Sequence, residues 1–282
     1  MAEASRSQAY ELDEDGYLRE KVGPWVRDKH TRLARYVGIS RSARTKFIGK
    51  GKAGATFIDL YSGPGRVRVR KEEQAIDGGP LVAWREAVDG SAAFTQLHIA
   101  DDNPELSKAV EARLSRAGAP VFVQTGPAIE TVDRVVSKLD PNALHFAFLD
   151  PYNLGDLPFD IIRKLAGLKR MDILIHVSNQ DLQRNLQRYI ESENSPLDSF
   201  APGWREHVDV SRSPKLIRAK FLEYWRGLLI AEDMATTETA ELVVGSRNQR
   251  LYLLAFAARH PLALNFWDKV RNLGDNEQLK LL

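Results

Sequence analysis

The sequence predicts an α/β protein whose main sheet is doubly wound and mostly parallel. Five short apolar segments recur along the chain, separated by stretches that include helical periodicity, and two more apolar segments follow near the C-terminus. Nearly continuous apolar strands are typical of parallel sheets that helices cover on both faces. The five segments are residues 56–60, 95–100, 121–124, 143–149 and 172–177, and the later two are 240–244 and 251–257.

The later two segments differ from the first five in how they are joined. Only a short polar run, residues 245–249, separates them. A parallel crossover needs a dozen or more residues, so this pair predicts an antiparallel hairpin at the edge of the sheet.

Helical periodicity accounts for much of the remaining chain. Predicted helices occupy residues 22–37, 81–88, 104–117 and 159–168. Residues 1–18 are polar and acidic and predict a loose arm, whereas the long helical stretch after the fifth strand predicts an insertion. The expected organisation is an N-terminal arm and helix at 1–54, an α/β core at 55–180 and 236–282, and a helical insertion at 181–235.

Composition excludes several classes of protein. The chain has 282 residues with 43% hydrophobic and 28% charged side chains, and no apolar run approaches the ~18 residues of a membrane span. The N-terminus lacks the apolar segment of a signal peptide, so we expect a cytoplasmic protein without a membrane partner. With no cysteine and six scattered histidines, disulfides and thiolate metal sites are excluded and no metal is expected.

Acidic residues or glycines stand at the ends of four predicted strands. Asp59 lies near the end of the first strand and is followed by the turn Ser62-Gly63-Pro64-Gly65. Asp101, Gly126 and Asp150 follow the second, third and fourth strands. Ligands of open α/β sheets bind beyond the carboxyl ends of the strands, so these residues are expected to line one crevice.

The chemistry of these residues suits a nucleotide-like cofactor. Gly63 and Gly65 let the backbone approach a ligand closely, and Asp59 can accept hydrogen bonds from ammonium or hydroxyl groups. In doubly wound folds an acid at the position of Asp101 holds ribose hydroxyls. A plain structural turn would also use glycine and proline here. The spacing matches neither a phosphate loop nor G-x-G-x-x-G, which disfavours a nicotinamide-dependent dehydrogenase.

Several motifs follow one another in order along residues 22–272. They are Lys29 in W-x-x-x-K, residues 58–65 (IDLYSGPG), Gly79-Pro80-Leu81, residues 148–152 (FLDPY), Arg184-Asn185 and residues 251–254 (LYLL). In this order they resemble the three-Cys-motif partner protein family, whose fold is that of class I S-adenosylmethionine-dependent methyltransferases.

The resemblance implies a cofactor, a set of ligands and a partner. S-adenosylmethionine is expected in the crevice, with Gly63, Gly65 and Ser62 near its amino-acid end and Gly126 beside the site. Asp59 would bind its ammonium, Asp101 its ribose and Lys29 its carboxylate. The family is named for a separate three-Cys-motif protein that resembles a radical-S-adenosylmethionine enzyme, so a non-catalytic, accessory role beside such a partner is the alternative to catalysis.

The stretch Asp150-Pro151-Tyr152 is similar to the Asp-Pro-Pro-Tyr motif of adenine-N6 methyltransferases that act on ribosomal RNA, with one proline missing. That similarity implies methyl transfer to an exocyclic base amine of RNA or DNA. Asp150 would accept hydrogen bonds from the amine, Pro151 would present its backbone, and Tyr152 would stack on an extruded base.

Basic residues follow or precede several predicted strands and suggest a phosphate-binding rim. Arg66, Arg68 and Arg70 follow the glycine turn, and Arg184 lies beyond the fifth strand. A further group, Arg41, Arg44, Lys46, Lys50 and Lys52, precedes the first strand. We expect these groups to share a rim that binds nucleic-acid phosphates, or else to pair with surface acids in the ordinary way.

Overall fold

A sheet of eight strands forms the centre of the fold in the computed structural model, which describes residues 9–237, 241–244 and 250–272. The strands are β1 Tyr10–Leu12, β2 Leu18–Val22, β3 Ala55–Asp59, β4 Arg66–Val69, β5 Ala75–Asp77, β6 Gln96–Asp101, β7 Val121–Thr125, β8 Leu144–Leu149, β9 Met171–Val177, β10 Ala235–Thr236, β11 Glu241–Val244 and β12 Arg250–Ala258. Residues 1–8, 238–240, 245–249 and 273–282, which enter the sequence-based interpretation, lie outside the described residues.

Helices flank this sheet and also fill the segment between β9 and β10. They are α1 Val26–Ile39, α2 Arg41–Arg44, α3 Gly79–Asp89, α4 Pro104–Arg116, α5 Ala128–Val136, α6 Phe159–Ala166, α7 Asn179–Glu191, α8 Pro196–Phe200, α9 Trp204–His207, α10 Pro214–Ala231 and α11 Pro261–Asn272. None of the helices among the described residues is long and apolar enough to cross a membrane.

The order of the strands confirms the doubly wound, Rossmann-like α/β fold. Across the sheet the order is β7-β6-β3-β8-β9-β12-β10, and β11 also pairs with β12. The strands from β7 to β9 are parallel, whereas β12 runs antiparallel to β9, β10 and β11. The chain first builds outward from β3 to β7 and then returns to place β8 on the other side of β3. The topological switch point therefore lies between β3 and β8, where such folds bind their ligands.

Apolar side chains cover both faces of the sheet, as its buried parallel strands require. One core contains Val132 of α5, Ile161 of α6 and aromatic residues of the segment between β9 and β10. The other contains residues of α1, α3, α4 and α11. Helix α11 was not predicted, and its Trp267 stacks on Phe256 of β12 with ring centroids 5.2 Å apart.

The expectation of a loose N-terminal arm is wrong for residues 9–18. These residues form β1 and the start of β2, and they join β4 and β5 in a second sheet of order β1-β2-β4-β5. Strand β2 runs parallel to β4, so Glu20 lies opposite Val67. The arm and the arginine-rich stretch after the glycine turn therefore fold together.

A buried network of charges fixes this second sheet to the main domain. Arg113 of α4 donates to both oxygens of Asp15 and to the backbone carbonyls of Leu18 and Pro64, at distances of 2.7–2.8 Å. The side chain of Asp13 is 1% exposed and pairs with Arg113, Arg19 and Arg66. One guanidinium thus joins the N-terminal hairpin to the glycine turn.

We predict that Arg113→Met destabilises the protein by about 3 kcal/mol, because removing one member of a buried ionic network leaves carboxylates without their partner. Urea denaturation followed by circular dichroism measures the change. The matched control is Arg116→Met, since Arg116 belongs to the same helix and touches Asp15 but is 58% exposed. Equal stability of the two variants would show that the network does not hold the hairpin.

Candidate active site

The acidic residues predicted at the strand ends do converge at the switch point of the sheet. Asp59 is the last residue of β3, Asp101 is the last residue of β6, and Asp150 directly follows β8. Helix α1 brings Lys29 to them, and β2 brings Glu20. A group of four carboxylates with one lysine therefore occupies the carboxyl edge of the strands.

The glycine turn after β3 adopts a conformation that favours glycine. Gly63 has φ +56° and Gly65 has φ +79°. A Cβ atom on Gly65 would lie 3.0 Å from Val110 of α4, so this glycine allows close packing on the helix. A Cβ on Gly63 would have only the Glu20 carboxylate within 4 Å, at 3.8 Å from Oε2. Gly65 therefore serves packing, whereas Gly63 faces the acidic group.

Asp101 anchors the glycine turn through its carboxylate. Its Oδ2 accepts a hydrogen bond from the Gly63 amide at 2.9 Å, and its Oδ1 accepts one from Asn103 at 3.0 Å. Burial raises the pKa of Asp101 to about 6, although these two hydrogen bonds favour its ionised form. The backbone of Ser62 donates to Ala100, and that of Gly126 donates to Asp101, both at 3.0 Å. Ser62 and Gly126 thus help to shape the site through their backbones.

Asp59 is enclosed at the base of the site. Asp59 is 1% exposed, and its Oδ1 accepts a hydrogen bond from the Tyr61 amide at 2.9 Å. Burial, reinforced by the charges of Asp150 and Asp101, raises the pKa of Asp59 well above its ordinary value. A carboxyl group in this environment favours its neutral form.

Asp150 forms an ion pair with Lys29 and a polar contact with His176. The Lys29 ammonium donates to Oδ2, and His176 Nδ1 lies 3.1 Å from Oδ1. Burial opposes ionisation of Asp150, but the Lys29 charge and the His176 contact outweigh it and hold the pKa of this carboxyl well below its usual range. Asp150 is therefore an ionised carboxylate at the switch point. The resemblance assigned Lys29 to a cofactor carboxylate, and here its ammonium contacts Asp150.

The residues after Asp150 differ in their exposure. Pro151 is buried, with its carbonyl oxygen 3.4 Å from His176 Nδ1, whereas Tyr152 is 73% exposed. The ring of His176 packs edge-on against Tyr252, and the Tyr252 hydroxyl donates to the Trp25 carbonyl at 3.1 Å. An accessible aromatic ring thus stands beside a fixed acidic centre.

The predicted basic rim is only partly present. Arg66 pairs with Asp13, and Arg68 donates to both oxygens of Glu11, whose pKa falls to about 2 mainly through this hydrogen bond. These two arginines hold the second sheet together. Arg70 and Arg184 are exposed.

The prediction of a shared basic rim is wrong for the basic group that precedes β3. Residues that enter a parallel strand lie at the opposite edge of the sheet from residues that leave it, and the acidic site lies at the carboxyl edge. Lys46, Lys50 and Lys52 are exposed ahead of β3, whereas Arg44 is 2% exposed and donates to the carbonyls of Ala92 and Val37.

Sequence reasoning missed Glu20 and His176. Glu20 lies between the predicted arm at 1–18 and the predicted helix at 22–37, and the three consecutive polar residues of LREKV do not show the alternation that indicates a strand. His176 lies on β9, and its neighbour Ile175 pairs with Leu149 in the sheet, one residue before Asp150. Strand register thus brings His176 to Asp150. Within the part of the chain that the structure describes, no group of three or more histidine or acidic residues is arranged to hold a metal ion.

Comparison with known proteins gave matches among solved structures alone. No protein-family model and no curated protein matches the chain. An O-methyltransferase from Bacillus cereus in complex with SAH is 13% identical, with 91% of this chain and 87% of that chain covered and a TM-score of 0.45. Cofactor-bound Rv0187 from MTB is 17% identical, with coverages of 92% and 88% and a TM-score of 0.46. The methyltransferase domain of bacterial CtHen1 is 11% identical, with coverages of 82% and 98% and a TM-score of 0.43.

We predict that Lys29→Met destabilises the protein more at pH 8 than at pH 5. In the native chain the lowered pKa of Asp150 contributes stability above the unfolded pKa of about 4, and this contribution is lost as the pH falls through the folded pKa. Without Lys29, burial raises the folded pKa instead, so stability is lost as the pH rises. The expected cost at pH 8 is about 2–3 kcal/mol, measured by urea denaturation.

The control for this prediction is the double variant Lys29→Met/Asp150→Asn. A neutral amide needs no compensating cation, so the second substitution should restore part of the lost stability and remove the added pH dependence. A double variant no more stable than Lys29→Met, at both pH values, would contradict the coupling of the two residues.

Proposed function

We propose that the site binds S-adenosylmethionine and that the protein transfers its methyl group to an exocyclic amine of a nucleic-acid base. The observation that carries the proposal is the group of Glu20, Asp59, Asp101 and Asp150 around a positive-φ glycine at the switch point of the sheet. The Lys29 ammonium contacts this group through Asp150. The site therefore favours a ligand that carries positive charge.

The chemistry of the residues present fits this cofactor better than a dinucleotide. S-adenosylmethionine carries a sulfonium and an ammonium, both of which are attracted to carboxylates, and it supplies an electrophilic methyl group when bound. The pyrophosphate of a nicotinamide cofactor would be repelled by the same carboxylates. Ribose hydroxyls would find an acceptor in Asp101, as in other nucleotide-binding sheets.

Lys29 remains available to a cofactor carboxylate. An ammonium has three N–H donors, and its contact with Asp150 uses one of them. Lys29 would then bind Asp150 and the amino-acid end of the cofactor at the same time. Gly63, which presents no side chain, leaves room for that end of the ligand.

Asp150 and Tyr152 suit an amine on a planar ring. Asp150 is ionised, and each of its oxygens keeps a second lone pair that can accept an N–H from the substrate. Its low pKa makes it a weak base, so its role would be to orient the amine. The exposed Tyr152 ring offers a stacking surface to an unpaired base.

A second candidate function is cofactor binding without transfer, in a protein that acts beside a three-Cys-motif partner. The observation that favours it is that both oxygens of Asp150 are already engaged, by Lys29 and by His176. An amine would have to share these contacts.

We predict that titration calorimetry detects binding of S-adenosylmethionine and of its demethylated product, but not of NAD⁺. Asp101→Asn should weaken both affinities about 10-fold to 100-fold, because one charged acceptor for the ribose is lost. Asp133→Asn is the matched control, since Asp133 is exposed on α5, away from the strand ends. Absence of binding at millimolar cofactor would remove the proposal.

We predict further that the protein transfers labelled methyl groups to short single-stranded RNA or DNA. Tyr152→Ala should slow transfer about 10-fold or more while leaving cofactor affinity unchanged. Tyr152→Phe should transfer at the native rate because the ring provides the stacking energy. Cofactor binding without transfer to either nucleic acid would favour the accessory role.

A further inference from the structure

The four carboxylates of the site differ in how far their oxygens are already engaged. Asp101 accepts two backbone N–H groups, Asp150 contacts Lys29 and His176, and Asp59 accepts from Tyr61 and is enclosed. The Glu20 carboxylate has no hydrogen bond or ion pair with any residue that the structure describes. A cation that enters the site would therefore find its least engaged acceptor in Glu20.

Glu20 also lies where it would contact a ligand that binds at the glycine turn. Its Oε2 lies 3.8 Å from where a Cβ of Gly63 would be, so the carboxylate stands over the open side of that glycine. Glu20 is only partly buried, whereas Asp59 is enclosed. The Arg113 guanidinium fixes this arrangement, because it donates to Leu18 in the same strand and to Pro64 in the same turn.

We propose that Glu20 is the residue that binds the α-ammonium of S-adenosylmethionine, and that this binding displaces a proton from its carboxyl group. The inference rests on the proposed function of the site. It transfers to Glu20 the role that the resemblance gave to Asp59, whose enclosed carboxyl group favours its neutral form. The N-terminal hairpin thereby becomes part of the cofactor site.

The charges around Glu20 support this exchange of a proton for a cation. Burial raises the pKa of Glu20 to about 7, Lys29 and Arg70 favour its ionised form, and Asp150 and Asp101 oppose it. Near neutral pH the free protein thus holds a proton on Glu20 in a large fraction of molecules. A bound ammonium favours the ionised carboxylate, so it lowers the pKa and releases the proton.

The sign of the pH dependence follows from this raised pKa. Below pH 7 the ligand must displace the proton, so affinity should fall up to about 10-fold for each unit of pH. Between about pH 7 and 7.5 the dependence should level off. Above that, an α-amino group of pKa about 7.7–8.0 begins to lose its own charge, and affinity should fall again.

The test is titration calorimetry at pH 6.5 in two buffers of different ionisation enthalpy, with S-adenosylmethionine, its demethylated product and 5′-methylthioadenosine as ligands. The third ligand keeps the adenosine but lacks the amino-acid end. The variants are Glu20→Gln, which preserves the shape of the side chain, and Glu73→Gln as an exposed control. Thermal unfolding verifies that each variant is folded.

We expect the native protein and Glu73→Gln to release protons on binding the first two ligands. Glu20→Gln should bind both about 10-fold to 100-fold more weakly without proton release, and should bind 5′-methylthioadenosine as the native protein does. If Glu20→Gln keeps the native affinity and the native proton release, the assignment of the ammonium to Glu20 is wrong, although the proposed function stands. Failure of the native protein to bind any of the three would overturn the proposed function and this inference together. If Glu20→Gln does not fold, Glu20→Asp replaces it, and native affinity there would likewise contradict a direct contact.

Discussion

The crowding of carboxyl groups at the carboxyl ends of β3, β6 and β8 is the constraint on which the rest of this structure depends. Three of the four carboxylates lie at strand ends because the switch point brings these ends together. Burial raises the pKa of Asp59 and Asp101, and the charges of Asp150 and Asp101 raise that of Asp59 further, whereas Lys29 and His176 keep Asp150 ionised. One buried edge thus contains carboxyl groups in different states, which is a common property of functional sites.

Elements that are distant in sequence stabilise these carboxyl groups. Helix α1 supplies Lys29, and β9 supplies His176, which is itself packed by Tyr252 from β12. The N-terminal hairpin adds Glu20 and is held by Arg113, a guanidinium that also binds the carbonyl of Pro64. Arg113 therefore holds both the glycine turn and the N-terminal hairpin, so a substitution that displaces the hairpin should also change the position of the turn.

The sequence predicts the parts of the fold that local pattern determines. The apolar runs identify the strands of the main sheet because these strands are buried on both faces, and the acidic tips place Asp59, Asp101 and Asp150 at one edge. The hairpin was missed because its stretch ELDEDG is dense in charge, and its partner Arg113 lies about a hundred residues away in sequence. The mistaken basic rim came from treating strand entrances and exits alike, although they lie at opposite edges of a parallel sheet.

A structure of the protein crystallised with S-adenosylmethionine would test the central claim most directly, namely that the acidic edge is a site for a cationic cofactor. The account predicts the α-ammonium within hydrogen-bond distance of the Glu20 carboxylate, about 2.7–2.9 Å, and the ribose hydroxyls on Asp101. If the ammonium contacts Asp59 instead, the assignment to Glu20 is wrong, but the acidic edge is still the site for a cationic cofactor. A cofactor bound away from the switch point, with the four carboxylates left without a ligand, would contradict it.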